Sequence, residues 1–218
     1  MSMTDRLIDA TARRPSGWLA RKTYGGPLGA PKGHEAVFDG VLVAAGSLEG
    51  ARCLEVGCGG GRLLERALSD GVAGAAGLDH SPDMLALSRE RNREAVERGA
   101  LELKLGDATQ LPWADSSFTV VLSANTFFFF TQPEMVLVEL SRVLSPGGRL
   151  VIGTVPGPLP APSLRNWWVW VWVWGSRMHT YDDETMCSML DAASFSEIEV
   201  TRPSRAVEPL QLVRATRA

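Results

Sequence analysis

Short apolar segments alternate with amphipathic segments along most of the chain. The segment 118–124 (FTVVLSA) is apolar almost throughout, as expected for a strand that is buried on both faces. Such alternation is typical of a parallel sheet covered by helices. The pattern predicts seven strands, the last two able to pair as a hairpin-like edge, in segments 51–57, 75–80, 101–105, 118–124, 149–154, 196–200 and 210–216.

The clearest helix follows the second strand. Ser81 is a favourable N-cap, Pro82 fits the first helical position, and Gly99 stands where the helix ends, so all three signals agree. Apolar spacing and stop signals predict further helices over segments 34–46, 62–70, 132–145 and 181–193.

Length and composition indicate one α/β domain. The 218 residues are 45% hydrophobic and 22% charged, which are globular proportions. The formal net charge of −3 speaks against a nucleic-acid-binding surface. Three scattered cysteines favour reduced thiols in a cytoplasmic compartment. The N-terminus lacks the apolar run of a signal peptide, and the apolar runs are too short to span a membrane, so no integral membrane segment is predicted.

A glycine-rich bend follows the first strand. Segment 55–61 reads EVGCGGG, and such glycines let a ligand lie against bare main chain. A dinucleotide site would need a third glycine at position 62, where Arg62 stands. Glu55 would repel a pyrophosphate, so a cofactor with an ammonium group and no phosphate fits better. A purely structural turn is the alternative.

Two acidic residues follow the next two strands. Asp79 ends the second strand, where a carboxylate can accept the hydroxyls of a ribose, and Ser81 already supplies the helix cap that is the alternative role for Asp79. Asp107 follows the third strand and can accept the exocyclic amine of adenine while the Ala108 amide donates to a ring nitrogen. The alternative for Asp107 is an Asx-turn. Together these residues predict a pocket for an adenosine with a charged amino-acid tail.

Four segments resemble the successive motifs of class I S-adenosylmethionine-dependent methyltransferases, in the group with the small-molecule enzymes. They are LEVGCGGGRLLE, GLDHSPDMLALSR, LKLGDATQLPWADSSFTVVLSANTFFFF and ELSRVLSPGGRLVIGT, between Leu54 and Thr154. The resemblance implies a Rossmann-like, mostly parallel sheet of seven strands with helices on both faces and the last strand antiparallel. It also implies S-adenosylmethionine as cofactor and S-adenosylhomocysteine as product.

The resemblance implies four regions in one domain: an N-terminal helical cap (1–50), a cofactor-binding core (51–154), a Pro/Trp-rich helical insert acting as substrate lid (155–180), and a C-terminal helix with strands (181–218). It assigns the methionine end of the cofactor to the bend, the ribose to Asp79 and the adenine edge to Asp107 and Ala108. The residues expected at the cofactor are Tyr24, Glu55, Gly57, Cys58, Gly59, Gly61, Asp79, His80, Met84, Asp107, Ala108, Ser123 and Asn125.

The sequence indicates fewer residues for the part of the site that binds the methyl acceptor. Many relatives carry a histidine or polar group where four phenylalanines stand at 127–130, which leaves no general base in this loop. His34 and His179 are the candidate bases, with solvent-facing histidines as the alternative. An apolar pocket is predicted from Phe128 and Phe129 together with Trp168 and Trp172 of the insert. A dimer interface or a lipid-facing surface are the alternatives for the tryptophans.

The leading hypothesis is a methyltransferase that acts on a small, apolar or aromatic metabolite, without a metal. The alternatives are a lipid-linked or quinone-type substrate at a membrane surface and a non-catalytic S-adenosylmethionine-binding relative. The acidic balance and SANT after the fourth strand, in place of an Asn-Pro-Pro-Tyr-like tetrapeptide, speak against a nucleic-acid substrate. A monomer or a homodimer with possible peripheral membrane contact is expected.

Overall fold

A computed structural model describes residues 34–159, 173, 178–203 and 210–218. Seven strands form one sheet in the order β3-β2-β1-β4-β5-β7-β6. The strands are β1 (Arg52–Val56), β2 (Gly74–Asp79), β3 (Leu101–Leu105), β4 (Phe118–Ala124), β5 (Leu144–Thr154), β6 (Phe195–Thr201) and β7 (Gln211–Arg217).

The predicted fold class is confirmed. Strands β1 to β5 pair in parallel, whereas β7 pairs antiparallel with both β5 and β6. The two C-terminal strands therefore form the edge that the sequence predicts. The order reverses between β1 and β4, and in parallel sheets this switch point opens a crevice at the carboxyl ends of the strands.

Helices cover both faces of the sheet. Their bounds are α1 (His34–Ala45), α2 (Arg62–Ser69), α3 (Pro82–Arg91), α4 (Arg93–Glu97), α5 (Pro133–Val143) and α6 (Asp183–Ala192), with a 3-10 turn at Phe127–Phe129. On one face, Val41 of α1 and Leu63 of α2 share a core with Val151 of β5. On the other, Leu137 of α5 and Leu190 of α6 pack against the sheet. Each such fully buried leucine contributes about 1.5–3 kcal/mol.

The helix after β2 departs from the prediction at one position. A single helix was expected between Pro82 and Gly99, but two helices meet at Asn92. The side-chain nitrogen Nδ2 of Asn92 donates to the carbonyl oxygens of Gly61 and Ser88, at 3.0 Å each. This side chain therefore holds the glycine bend from beneath, and the helix is interrupted where it does so. Ser81 accepts a hydrogen bond from the Met84 amide at 3.4 Å, which confirms the predicted N-cap.

Strand β5 begins five residues earlier than the sequence predicts. Leu144 pairs with Phe118, and the register then shifts before Val120 pairs with Arg149. The segment SPGG, expected to end the preceding helix as a loop, is thereby included in the strand. The shift leaves the carboxyl ends of β4 and β5 in register, since Ala124 pairs with Gly153.

A half-buried arginine fixes the loop that leads away from β3. Arg142 on α5 donates to the carbonyl oxygens of Leu111 and Trp113, at 3.0 and 2.8 Å. It also pairs with Glu139 at 2.7 Å and Asp115 at 2.8 Å. Because this loop starts at the candidate site residue Asp107, the arginine anchors one side of the site to the helical layer.

Candidate functional site

The glycine bend after β1 has a backbone that suits glycine. Gly57, Gly59 and Gly61 have φ angles of 75°, 49° and 74°. The amides of Gly57 and Cys58 donate to the Leu78 carbonyl oxygen at 2.8 and 3.0 Å, which ties the bend to the neighbouring strand β2. The bend thus lies at the carboxyl-terminal ends of the parallel strands.

The three glycines differ in the space around them. A Cβ atom on Gly57 would lie 2.2 Å from Thr126 Cγ2, and one on Gly61 would lie 2.2 Å from Ser88 Oγ. A Cβ atom on Gly59 would meet no atom of the described residues within 4 Å. Gly57 and Gly61 are therefore required by packing, whereas Gly59 offers bare main chain to a ligand. The Cys58 side chain is buried, so only its backbone can face that space.

Asp79 joins the bend to the start of α3. Its carboxylate accepts the Gly59 amide at Oδ2 and the Ser81 amide at Oδ1, both at 2.8 Å. The residue is only 7% exposed. Each carboxylate oxygen can accept more than one hydrogen bond, so a pair of ligand hydroxyls could still bind here. The sequence did not reveal that Asp79 is itself held by the bend.

Asp107 lies at the end of the adjacent strand. Its Oδ1 accepts the amide and hydroxyl of Thr109 at 2.8 and 2.7 Å, so the Asx-type turn considered as an alternative is formed. These hydrogen bonds, followed by the nearby charge of His80, lower the pKa of Asp107. The Gly106 amide donates to the Asp79 carbonyl oxygen at 3.1 Å. Asp79 and Asp107 therefore stand on neighbouring strand ends, and their contact with one nucleoside stays a prediction.

Glu55 is buried beneath the bend. Its carboxylate accepts the Leu64 amide in the first turn of α2, and its Oε2 has no hydrogen-bond partner among the residues that the structure describes. Burial, and then the charge of Asp79, raise the pKa of Glu55 well above its ordinary value. A buried acceptor without a partner costs about 1–3 kcal/mol, which a cationic ligand group could recover.

Replacing Glu55 by glutamine tests whether folding raises the pKa of its carboxyl group. A carboxyl whose pKa is raised by folding contributes stability that is complete below its ordinary pKa and is lost as pH rises through the raised value. We therefore expect the free energy of unfolding of Glu55→Gln, taken relative to that of the unaltered protein, to increase as pH rises above the ordinary carboxyl pKa, measured by urea unfolding. Glu94→Gln, on an exposed face of α4, is the control. An identical pH dependence in Glu55→Gln and the unaltered protein would contradict the assignment.

The end of β4 holds further polar atoms without partners. Ser123 Oγ and Asn125 Nδ2 are buried and make no hydrogen bond in the described part of the chain. Asn125 has a φ of 56°, and its amide donates to the Gly153 carbonyl oxygen at 2.9 Å. Both residues thus lie at the carboxyl end of the strand that neighbours β1, and their contact with the cofactor stays a prediction.

The other residues predicted at the cofactor or the acceptor differ in how far they are buried. Met84 is 2% exposed and packs with Leu87, whereas His80 is exposed. Phe128 is buried in a cluster with Val155 and Met178, and Phe129 is half-buried against them. Ala108 is buried in the main core. The roles of these side chains toward a ligand stay predictions.

The two candidate bases differ in their surroundings. His34 lies at the start of α1, edge-on to Phe38 at 6.2 Å, and burial lowers its pKa to about 4 despite the opposing charge of Glu35. His179 is exposed and binds the segment after β4. Tyr24, Trp168 and Trp172, with most of the insert, lie outside the described residues.

Sequence reasoning missed several residues that shape the site. Arg91 Nε donates to the Gly60 carbonyl oxygen at 3.0 Å, and Thr126 Oγ1 donates to that of Gly57 at 3.2 Å. Thr154 Oγ1 and Gln211 Oε1 are further buried atoms that find no partner in the described part of the chain, on paired residues of β5 and β7. No local motif marks these residues, because the fold alone brings them to the bend and the sheet edge.

Two absences hold within residues 34–159, 173, 178–203 and 210–218. No helix there is both long and apolar enough to cross a lipid bilayer. No three histidine, cysteine or acidic side chains there come together as a metal site would require.

Comparison with known proteins finds a family that matches part of the chain. Residues 54–152 match the family model described as a methyltransferase domain. The chain is 38% identical over 106 residues to the fatty-acid O-methyltransferase of Mycolicibacterium smegmatis, covering 48% of this chain and 37% of that protein. It is 42% identical over 113 residues to the demethylmenaquinone methyltransferase of Thermus thermophilus, covering 49% and 48%. The matched part of the chain thus spans less than half of either relative.

A solved structure extends the similarity over the fold. Phosphoethanolamine N-methyltransferase 2 of Haemonchus contortus superposes with a TM-score of 0.75 at 17% identity, covering 100% of this chain and 60% of that one. At this identity the superposition shows a shared fold. The family match over residues 54–152 confirms the resemblance found in the sequence motifs.

Proposed function

We propose, on the premise that residues 54–152 belong to the methyltransferase-domain family, that this chain transfers a methyl group from S-adenosylmethionine to a small, apolar or aromatic acceptor. The observation that carries the proposal is the buried carboxylate of Asp79, held at 2.8 Å by the amide of the unobstructed Gly59. A carboxylate suits ribose hydroxyls, and the bare main chain beside it leaves room for the rest of the cofactor.

The residues present fit this cofactor. Glu55 Oε2, buried and without a partner among the described residues, suits an ammonium group that reaches the bend, and Asp79 suits the ribose. Asp107 and the Ala108 amide suit the adenine edge, while Ser123 and Asn125 suit the methionyl end. The bound cofactor supplies a methyl group activated by a sulfonium. The protein's contribution is to orient the acceptor and to exclude water, which can lower a barrier by about 7–11 kcal/mol.

Binding of S-adenosylhomocysteine tests the cofactor assignment, and Asp107→Asn tests one contact. Asparagine keeps the Oδ1 atom that closes the Thr109 turn but removes the negative charge and an acceptor oxygen. We expect affinity for S-adenosylhomocysteine to fall about five- to tenfold, as for one lost hydrogen bond, measured by titration calorimetry. The control is Asp191→Asn, on an exposed position of α6. No binding to the unaltered protein would refute the cofactor, and unchanged affinity in Asp107→Asn would refute the adenine contact.

The acceptor is proposed to be apolar. Phe129, Trp168 and Trp172 are its proposed contacts, with Phe128 supporting the wall from the cluster behind it. A lipid-linked or quinone-type acceptor is the second candidate, favoured by the names of the two curated relatives, a fatty-acid and a demethylmenaquinone methyltransferase. Methyl transfer to a fatty acid, to a demethylated quinol and to a soluble phenol, measured side by side, distinguishes these classes. Binding of the cofactor without turnover of any class would support a non-catalytic role.

The remaining organisation is proposed from the sequence. Segment 1–50 would cap the site, 51–154 would bind the cofactor, 155–180 would cover the acceptor and 181–218 would complete the sheet. A cytoplasmic monomer or homodimer, with contact to a membrane surface only if the acceptor is lipid-linked, is the proposed state.

A further inference from the structure

His179 is bound to the segment that follows β4 by two hydrogen bonds. We call residues Phe127–Phe130 the phenylalanine turn. The His179 amide donates to the Phe128 carbonyl oxygen at 2.8 Å, and the ring Nδ1 lies 3.0 Å from the Phe130 carbonyl oxygen. The imidazole is therefore held in a defined position although it is exposed.

The second contact determines which ring nitrogen carries the proton. A carbonyl oxygen can only accept a hydrogen bond, so Nδ1 must donate. In the neutral imidazole, Nε2 then carries the free lone pair. A histidine that is oriented by an acceptor at Nδ1 has the arrangement required of a general base at Nε2. His34 lacks this role, because burial lowers its pKa to about 4 and makes it a weak base.

The phenylalanine turn connects His179 to the end of β4, where the candidate site lies. The phenylalanine turn begins two residues after Asn125, at the strand end that carries the unpartnered Ser123 Oγ and Asn125 Nδ2. Met178, next to His179, packs with Phe128 and Val155 in an apolar cluster beside the same edge. An exposed, oriented imidazole thus adjoins a buried apolar cluster and the turn that follows the strand end carrying Ser123 and Asn125.

We propose that His179 Nε2 is the general base for a protic acceptor, which would carry its reacting O–H or N–H next to an apolar body; this rests on the proposed function. The acceptor's heteroatom forms the new bond to the methyl carbon, its proton passes to Nε2, and the electron pair of the broken carbon–sulfur bond stays with sulfur. An acceptor that is methylated at a carbon atom and loses no O–H or N–H proton would not need the His179 imidazole.

Few other titratable groups adjoin His179 in the described chain. The phenylalanine turn carries none. Tyr181 and Asp182 follow on the same segment, and Glu134 begins α5. Burial, and then the charge of Glu134, raise the pKa of Tyr181, which therefore stays protonated near neutral pH.

The test compares the unaltered protein with His179→Asn, both saturated with S-adenosylhomocysteine. Asparagine can place an amide donor where Nδ1 lies, so the contact to Phe130 is kept while the base is removed. The melting temperature should stay within about 2 °C. The probe is 4-nitrophenol, a phenol whose ionised form is coloured. Nitrogen-15 NMR of the free protein should show a protonated Nδ1 and an unprotonated Nε2 for His179.

We expect 4-nitrophenol to show an about threefold larger ionised fraction on the unaltered protein than on His179→Asn at pH 6.5, with Nε2 becoming protonated. Turnover of any phenolic acceptor should fall about 100-fold in His179→Asn. A proton on Nε2 rather than Nδ1 of the neutral imidazole in the free protein, absence of probe binding, or equal ionisation on both proteins would overturn the role of His179. Failure of S-adenosylhomocysteine to bind would instead overturn the proposed function.

Discussion

Gly57→Ala is expected to destabilise the folded protein by about 2–5 kcal/mol. The new Cβ atom would lie 2.2 Å from Thr126 Cγ2 and 2.7 Å from Thr126 Cβ, and the latter atom cannot move without the backbone. The φ angle of 75° adds strain of about 1–2 kcal/mol for a residue with a side chain. Overpacking of this kind costs about 1–3 kcal/mol. Urea unfolding at neutral pH measures the sum.

Gly59→Ala is the matched comparison for this prediction. Its φ angle is 49°, yet the added Cβ atom would meet nothing of the described residues within 4 Å. We expect a stability loss of only about 1 kcal/mol, but a large loss of affinity for S-adenosylhomocysteine, because the methyl group would occupy the space left for the ligand. Equal stability losses at Gly57 and Gly59 would contradict the division between a packed and an open glycine.

Asp79→Ala is expected to weaken binding of S-adenosylhomocysteine about 10- to 100-fold. The substitution removes the acceptor proposed for the ribose hydroxyls, and stranding polar partners costs about 1–3 kcal/mol. It also frees the amides of Gly59 and Ser81, which now donate to the carboxylate at 2.8 Å. The bend and the start of α3 should therefore loosen, with a loss of unfolding free energy. Titration calorimetry and urea unfolding measure the two effects separately.

Asp79→Asn separates these contributions. The asparagine carbonyl can still accept one of the two amides, so more of the stability should be retained than in Asp79→Ala. Affinity should remain reduced, because a carboxylate forms stronger hydrogen bonds than a neutral amide. Affinity equal to that of the unaltered protein in both variants would mean that the ligand binds elsewhere.

The order of strands and helices followed from local signals in the sequence. The apolar content of the strands, the N-cap at Ser81 with Pro82 after it, and the terminal Gly99 are properties of short segments, and the structure confirms them. The interruption at Asn92 depends on a contact with Gly61, 31 residues away, and could not be predicted from the segment itself. The early start of β5 likewise depends on pairing of Leu144 with Phe118.

The candidate site was predictable to a similar extent. Glu55, Asp79 and Asp107 were identified because they end successive strands, and the structure brings their strand ends to one edge. The anchoring of Asp79 by Gly59 and the hydrogen bonds of His179 required three-dimensional contacts between distant segments. The burial of Met84 was also missed, since an apolar residue in a ligand motif and one in a core look alike in sequence.

The crystal structure of the complex with S-adenosylhomocysteine is the most direct measurement. We predict one nucleoside across the bend, with its ribose hydroxyls on the Asp79 carboxylate and its adenine edge at Asp107 and the Ala108 amide. The amino group of the ligand should reach toward the bend above Glu55. A ligand bound away from Gly59, or carboxylates of Asp79 and Asp107 that face different regions of the complex, would contradict the proposal.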